Sequence, residues 1–173
     1  MDSHASQVAR LRAAAPDAPR LYFAYSTILD RAAFDEWRLE HGYADFALPA
    51  GRAGEALGVA LVYDFPSRWW GGRVAGLADR AGAVVHGLVF EVPGRDWPVV
   101  QHKEGAVTGM SVEREVVVGV GAETLTATAF TTNPARASVA GAVSLRFVEA
   151  LERGARSAGL PEGYVASLRT SAR

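Results

Sequence analysis

The sequence predicts an α+β domain, with a strand-rich middle that rolls into a small barrel and a few helices on either side. Between residues 56 and 131, short apolar runs alternate with glycine-containing turns, which is typical of strands. Over residues 31–40 and 139–158, apolar residues instead recur at helical spacing. No internal repeat is visible in the sequence, so the pattern does not indicate a solenoid.

Length and composition indicate one globular domain. A chain of 173 residues fits a domain that buries roughly 70% of the surface exposed by its unfolded chain. Hydrophobic residues make up 49%, charged residues 21%, and the formal net charge is −1. This balance excludes a disordered chain and a strongly basic one, so no nucleic-acid partner is expected.

The absence of cysteine excludes a thiol nucleophile, a thiolate metal site and a disulfide framework. The first 20 residues contain no continuous apolar run of the kind found in signal peptides, and no later run reaches the length of a membrane span. The sequence therefore predicts a cytoplasmic protein without a membrane partner.

Residues 1–19 are predicted to be a mobile N-terminal arm or a short helix, and residues 20–173 a single domain. Pro16 and Pro19 interrupt the chain just before the first apolar strand, over residues 20–25. The folded domain is expected to begin at this strand.

A helix is predicted over residues 31–40, because Asp30 directly before it is a favoured N-cap residue. The spacing of Phe34 and Trp37 places both side chains on one face of this helix. A second helix is predicted over residues 139–158, ended by a glycine and a proline, with one apolar face packed on the sheet.

Strands are predicted over residues 56–65, 74–77 and 83–92. Trp69-Trp70-Gly71-Gly72 separates the first two, and its simplest interpretation is aromatic bulk that caps the open end of a barrel. Residues 111–120 and 124–131 are predicted to form a β-hairpin, joined by a short glycine turn.

Two segments together indicate an acyl-transfer site. In the first, the aromatic strand Tyr22-Phe23-Ala24-Tyr25 breaks into Ser26-Thr27-Ile28 before the helix. Backbone N–H groups at such a turn hold oxyanions or carboxylates. In the second, a turn over residues 101–105 carries Glu104, which is a candidate general base.

Other catalytic patterns are not supported. His102 and Glu104 have the spacing found in zinc deaminases, but that site also needs thiolate or equivalent ligands. The spacing of the four histidines places no two of them on one helix face, so no metal site is predicted. The sequence contains neither a Gly-x-Ser-x-Gly elbow nor a phosphate-binding glycine loop.

Four blocks occur in the order found in one enzyme family: Tyr22-Phe23-Ala24-Tyr25, Trp70-Gly71-Gly72-Arg73-Val74-Ala75, Glu104-Gly105-Ala106-Val107-Thr108-Gly109-Met110, and Gly154-Ala155-Arg156-Ser157-Ala158-Gly159-Leu160-Pro161-Glu162-Gly163-Tyr164. Through these blocks, over about residues 21–168, the chain resembles the γ-glutamyl cyclotransferase family with its AIG2-like fold. The third block is similar to the one that bears the family's catalytic glutamate.

The resemblance implies a small mixed β-barrel with flanking helices and, because the family is often dimeric, a homodimer. It implies cleavage of a γ-glutamyl amide to 5-oxoproline and a free amine, without a cofactor or metal. Glu104 would act first as general base and then as general acid. The substrate-binding residues that the resemblance implies are Tyr22, Phe23, Ala24, Tyr25, Ser26, Thr27, Ile28 and Phe130.

The chain departs from the family pattern around the substrate. The family's Tyr-Gly-Ser-Asn-Leu loop reads Tyr25-Ser26-Thr27-Ile28-Leu29 here, and Ser111 and Phe130 replace two usual tyrosines. Each replacement of a tyrosine removes a phenolic hydrogen bond. The departures predict a cyclotransferase-like enzyme whose substrate differs from the usual γ-glutamyl dipeptide.

Two alternatives stay open. A related enzyme would remove a γ-glutamyl or similar acyl group from a larger biosynthetic amine, which the apolar Ile28 and Phe130 favour. A non-catalytic small-molecule-binding module would keep the barrel without turnover. A pocket-facing, desolvated Glu104 favours an enzyme, and a solvated Glu104 favours the binding module.

Overall fold

The computed structural model describes residues 3–172. Its helices are α1 (Ser3–Ala14), α2 (Arg31–Glu40), α3 (Trp97–Lys103), α4 (Leu145–Ser157) and α5 (Glu162–Thr170), with 3-10 turns at Thr27–Leu29, Gly94–Asp96 and Pro134–Arg136. Its strands are β1 (Arg20–Ala24), β2 (Arg52–Ser67), β3 (Gly72–Val92), β4 (Ser111–Val120) and β5 (Glu123–Thr132). The predicted α+β class is confirmed.

The strands form one sheet in the order β1-β3-β2-β4-β5. Neighbours along this order pair antiparallel, whereas β1 pairs with β5 in parallel, with Tyr22 opposite Thr128. The sheet is therefore mixed and closes on itself, as the predicted small barrel requires.

β2 and β3 form a long antiparallel hairpin. The sequence predicted two separate strands over 74–77 and 83–92, but β3 is continuous, and the two predicted strands are joined by the exposed residues 79–82. The pairing shifts between Leu57 and Val59, where Gly58 has a φ of +71°. Such a bulge bends a hairpin, which helps a sheet to close.

The sheet buries apolar side chains on both faces. One cluster comes from the five strands and the residue after β1: Phe23, Tyr25, Ala56, Val59, Leu77, Val85, Val89, Val116, Val118, Ala127 and Ala129. A second cluster joins the other face to the helices and contains Tyr22, Phe34, Phe130 and Phe147. Tyr22 and Phe23 therefore point to opposite sides of β1, as the alternation of side chains along a strand requires.

The segment predicted as a mobile arm contains α1, which packs against the domain. Val8 is fully buried in the second cluster. The guanidinium of Arg12 lies 2.5 Å from Asp96 and 2.9 Å from Asp45. The helical alternative is the correct one for this segment, because buried apolar area and two ion pairs hold the helix in place.

The predicted boundaries are correct for α2 and differ for α4. Asp30 accepts a hydrogen bond from the N–H of Ala33 (3.2 Å), and α2 spans the predicted residues. The helix predicted from residue 139 begins only at Leu145, because Ser144 is its N-cap. α3 and α5 were not predicted.

A bilayer-crossing helix is not found within residues 3–172, where each helix is too short or too polar.

Candidate active site

Glu104 lies at the C-terminal end of α3. Its N–H donates to the carbonyl of Val100 (2.9 Å), and Gly105 after it has a φ of +80°, which favours glycine. The hydroxyl of Ser111 donates to the Glu104 carbonyl at 2.6 Å. The turn predicted at residues 101–105 is thus a helix end, held in place from both sides.

The Glu104 carboxylate accepts a hydrogen bond of 2.8 Å from the hydroxyl of Tyr22. Tyr22 is 1% exposed, and its ring contacts Phe90, Trp97 and Phe130. Close packing on several sides fixes this ring. The hydroxyl therefore positions one oxygen of the carboxylate.

Burial raises the pKa of the Glu104 carboxyl above its ordinary value, although the Tyr22 hydrogen bond and the charge of Lys103 act in the opposite direction. Burial also raises the pKa of Tyr22 well above its usual range, and the negative charge of Glu104 adds to this effect. Tyr22 thus keeps its proton. A carboxylate with a raised pKa is a stronger base, which suits proton transfer near neutral pH.

A cavity of about 480 Å³ opens beside Glu104, a volume within the range of small-molecule sites. Its buried end is lined by Tyr25 and Phe130, which are 4% and 2% exposed. Ser26, Thr27 and Ser111 contribute polar groups to the same lining. The cavity therefore brings the two segments singled out in the sequence, the strand-to-helix loop and the Glu104 turn, into one space.

The loop after β1 offers unengaged donors to this cavity. The N–H groups of Leu29 and Asp30 donate within the 3-10 turn, to Ser26 and Thr27. Within residues 3–172, the N–H groups of Ser26 and Thr27 donate to no protein acceptor. Ser26 has a φ of −115°, so the backbone at this position does not require the glycine that the family usually has.

The predicted substrate-binding residues separate into two groups. Tyr25, Ser26, Thr27 and Phe130 line the cavity with Glu104, and Tyr22 reaches it through its hydrogen bond. Phe23, Ala24 and Ile28 lie outside the lining, and each is at most 2% exposed. Phe23 points to the other side of β1, and Ile28 lines a smaller cavity of about 250 Å³.

Several lining residues were not among the predicted site residues. They come from α2, from α3 and from the β2–β3 turn: Trp37, His41, His102, Lys103, Trp69 and Trp70. The Trp69-Trp70 pair was interpreted as a structural cap, and in the structure it also borders the cavity. His102 was considered only for its zinc-deaminase spacing to Glu104, and the sequence signal for Lys103 was its position directly before Glu104.

Among residues 3–172, no three histidine, aspartate or glutamate side chains lie close enough together to hold a metal ion. His41 and His102 approach each other, with ring centroids 5.5 Å apart. The hydroxyl of Tyr43 lies 2.7 Å from Nδ1 of His102. These side chains form part of an aromatic wall beside the cavity.

The model of the AIG2-like family matches residues 84–168, a stretch that contains Glu104, the β4–β5 hairpin and most of the C-terminal helices. No curated protein sequence gives a significant match. The family evidence from sequence therefore comes from the second half of the chain.

Solved structures give the fold over most of the chain. A γ-glutamyl cyclotransferase matches with a TM-score of 0.70 and 21% identity, over 87% of this chain and 86% of the other. Uncharacterized protein loc79017 from Homo sapiens matches with a TM-score of 0.69 and 22% identity, over 87% and 86%. YkqA from Bacillus subtilis matches with a TM-score of 0.71 and 20% identity, over 88% of this chain and 53% of YkqA.

At these identities the structural matches establish the fold, and the family model adds a match in sequence. Both agree with the resemblance carried by the four sequence blocks. The chain therefore has the fold of the γ-glutamyl cyclotransferase-like structures, and residues 84–168 are similar in sequence to the AIG2-like family.

Proposed function

We propose that this chain is a cyclotransferase that cleaves a γ-glutamyl amide into 5-oxoproline and a free amine. The observation that carries the proposal is the Glu104 carboxylate, held by the Tyr22 hydroxyl at 2.8 Å in the wall of the 480 Å³ cavity. The cavity also contains the loop of Ser26 and Thr27, whose N–H groups are available for an anion.

Glu104 accepts a proton from the α-ammonium of the substrate, and the freed nitrogen attacks the γ-carbonyl carbon. A new C–N bond closes the five-membered ring, while the carbonyl oxygen takes a negative charge. Collapse of this intermediate breaks the original amide C–N bond. Glu104 returns its proton to the departing nitrogen, so one carboxylate serves as base and then as acid. The ring nitrogen loses its second proton to the released amine, which leaves as an ammonium ion, and Glu104 is again ionised.

The N–H groups of Ser26 and Thr27 bind the α-carboxylate or the developing oxyanion, where each well-aimed donor contributes roughly 3–4 kcal/mol. Attack within one molecule needs only the correct folding of the substrate, and well-oriented cases reach effective molarities of about 10⁵–10⁸ M. The chain therefore needs a fixed base, an anion site and a shaped cavity.

Two features support an enzyme over a binding module that lacks turnover. Glu104 faces the cavity, and burial raises the pKa of its carboxyl, as expected for a general base at work near neutral pH. A binding site for a cationic amine would gain more from a carboxylate of low pKa, which stays ionised over a wider pH range.

The departures from the family pattern support a substrate other than the usual dipeptide. Tyr25 donates its hydroxyl to the carbonyl of Phe130 (2.5 Å), and Ser111 donates to the carbonyl of Glu104. Both hydroxyls are thus engaged within the protein. Because Phe130 offers no hydroxyl, the phenolic donor that the family usually has at this position is lost.

The test is release of 5-oxoproline from a panel of γ-glutamyl amino acids and γ-glutamyl amines. We expect Glu104→Gln to lower kcat by about 10²–10⁴-fold, the usual contribution of a general acid–base. Glu115→Gln is the matched control, since Glu115 is exposed on β4 and lies outside the cavity lining. No release from any panel member by the folded native chain would overturn the proposal.

A further inference from the structure

The cavity beside Glu104 has a polar, buried end and an aromatic mouth. Tyr25 and Phe130 mark the buried end, together with Glu104 and the loop of Ser26. The mouth is marked by Trp69, which lines the cavity and is nevertheless 81% exposed. Tryptophan side chains are largely buried on average, so this exposed apolar surface at the rim of a cavity is unusual.

One wall of the mouth comes from α2 and α3. Trp37 stacks on His41, one helical turn later, with ring centroids 4.6 Å apart. It also meets the ring of His102 at 5.4 Å in an edge-to-face arrangement. All three residues line the cavity, so this wall is a continuous aromatic surface.

A second wall comes from the β2–β3 turn and α4. Trp70 meets Phe147 edge-on, with centroids 5.3 Å apart. The hydroxyl of Ser144 donates to the Trp70 carbonyl at 2.7 Å, and the Trp70 N–H donates to Ser67. The turn is thus fixed to α4, and Trp70 and Trp69 are held at the mouth rather than on a free loop.

Charge is sparse in this mouth. Among the residues that line the cavity, within the described part of the chain, the charged side chains are Glu40, Lys103 and Glu104, and there is no arginine. The ammonium of Lys103 lies 5.1 Å from the centre of the Trp37 ring. Arg146 lies outside the lining but at the same mouth, because it donates to the Trp69 carbonyl and its guanidinium lies 5.1 Å from the centre of the Trp70 ring. Positive and negative groups at the mouth are therefore few and balanced, so aromatic contact rather than charge selects the substituent.

We infer that the amine released by this enzyme carries an aromatic substituent, which binds against the Trp37 wall and the Trp69-Trp70 wall. This inference rests on the proposed function: the γ-glutamyl group must reach Glu104 and the loop N–H groups, which directs the amine to the mouth. Aromatic rings gain from contact with aromatic walls in addition to the area that they bury.

The test compares two substrates with equivalent leaving groups, γ-glutamyl-2-phenylethylamide and γ-glutamyl-ethylamide, by release of 5-oxoproline. Both release a primary alkylamine, so a difference in kcat/KM reports binding of the ring. We expect kcat/KM to be at least about tenfold higher for the phenylethylamide. γ-Glutamylglycine, whose leaving amine also lacks a ring, should likewise be slower than the phenylethylamide.

Trp69→Ala should reduce the preference for the phenylethylamide by about threefold or more, the scale of one aromatic contact. The matched control is Val139→Ala, because Val139 is 79% exposed and lies outside the cavity lining; it should keep the preference. Since both side chains are mostly exposed, both variants should fold.

The outcomes separate the two proposals. Equal kcat/KM for the two amides, with release abolished in Glu104→Gln, would overturn the aromatic inference and leave the proposed function standing. A preference that Trp69→Ala does not change would overturn the assignment of the ring to this mouth. No release from any of the three substrates would overturn the aromatic inference, and no release from any member of the wider panel would overturn the proposed function as well.

Discussion

The hydroxyl of Tyr22, in the middle of β1, lies 2.8 Å from the carboxylate of Glu104, which follows 82 positions later in the chain. The first strand thus supplies a hydrogen-bond donor to the carboxylate at the end of α3. Because the donor stabilises the ionised form, it lowers a pKa that burial raises. The Tyr22 hydrogen bond therefore limits how far burial raises the pKa of the Glu104 carboxyl.

Tyr22→Phe should therefore raise the pKa of Glu104 further, since burial remains and the donor is lost. We expect the acidic limb of the kcat/KM profile to move to higher pH, with activity reduced by about tenfold near pH 7 and largely recovered in more alkaline solution. The pH profile of 5-oxoproline release measures this. A loss that is equal at every pH would show instead that Tyr22 acts only by packing.

Glu104→Gln should change how stability depends on pH. Burial raises the folded-state pKa of Glu104 above its unfolded value, so the stability that this group contributes is fully present below the unfolded pKa. It is lost as pH rises through the folded pKa. The Tm of Glu104→Gln minus that of the native chain should thus increase from about pH 4 to about pH 8. A constant difference across this range would contradict the buried environment of Glu104.

Gly154→Ala should destabilise the protein, although alanine is the better helix former. A Cβ at Gly154 in α4 would lie 2.9 Å from the backbone nitrogen of Asp30, the N-cap of α2. We expect a loss of about 1–3 kcal/mol in the free energy of unfolding, as for other overpacked sites.

The matched control is Gly163→Ala in α5, where a Cβ meets no atom within 4 Å. This variant should gain a few tenths to about 1 kcal/mol from helix propensity. Denaturant titration of both variants measures the difference, and stabilisation by Gly154→Ala would show that α4 does not approach Asp30 so closely.

Val8→Ala should lower the free energy of unfolding by about 1–3 kcal/mol, because Val8 is fully buried in the core. Leu11→Ala removes a larger side chain from the same helix, but Leu11 is 40% exposed and should cost less. Equal and negligible effects of the two substitutions would restore the interpretation of this segment as a mobile arm.

Local signals in the sequence predicted the elements that caps and periodicity control. The Asp30 cap gave the boundaries of α2, and the glycine turn gave the β4–β5 hairpin within about one residue. Local signals failed where packing overrides propensity. α3 is only seven residues long. β3 continues through the exposed residues 79–82, where its pairing with β2 shifts from Leu57 opposite Val84 to Val59 opposite Asp79.

The candidate site was predicted in part. Glu104 was found as a carboxylate directly before a glycine. The loop of Ser26 and Thr27 was found as the point where a strand breaks into hydroxyl residues. Each signal is visible within its own short stretch of sequence. Phe23 was assigned to the substrate, but strand alternation points it to the other side of β1. The walls of Trp37 and Trp70 were missed, since each tryptophan alone is most simply a core or capping residue.

The sequence by itself determined the class of fold, the capped helix, the hairpin and the identity of the candidate base, because each depends on residues that are close together in the chain. Only the tertiary structure decided that Tyr22 contacts Glu104, that α1 packs on the domain and that two aromatic walls meet at one cavity. The physical reason is that strand register and sheet closure set the distances between remote residues, and no local pattern encodes those distances.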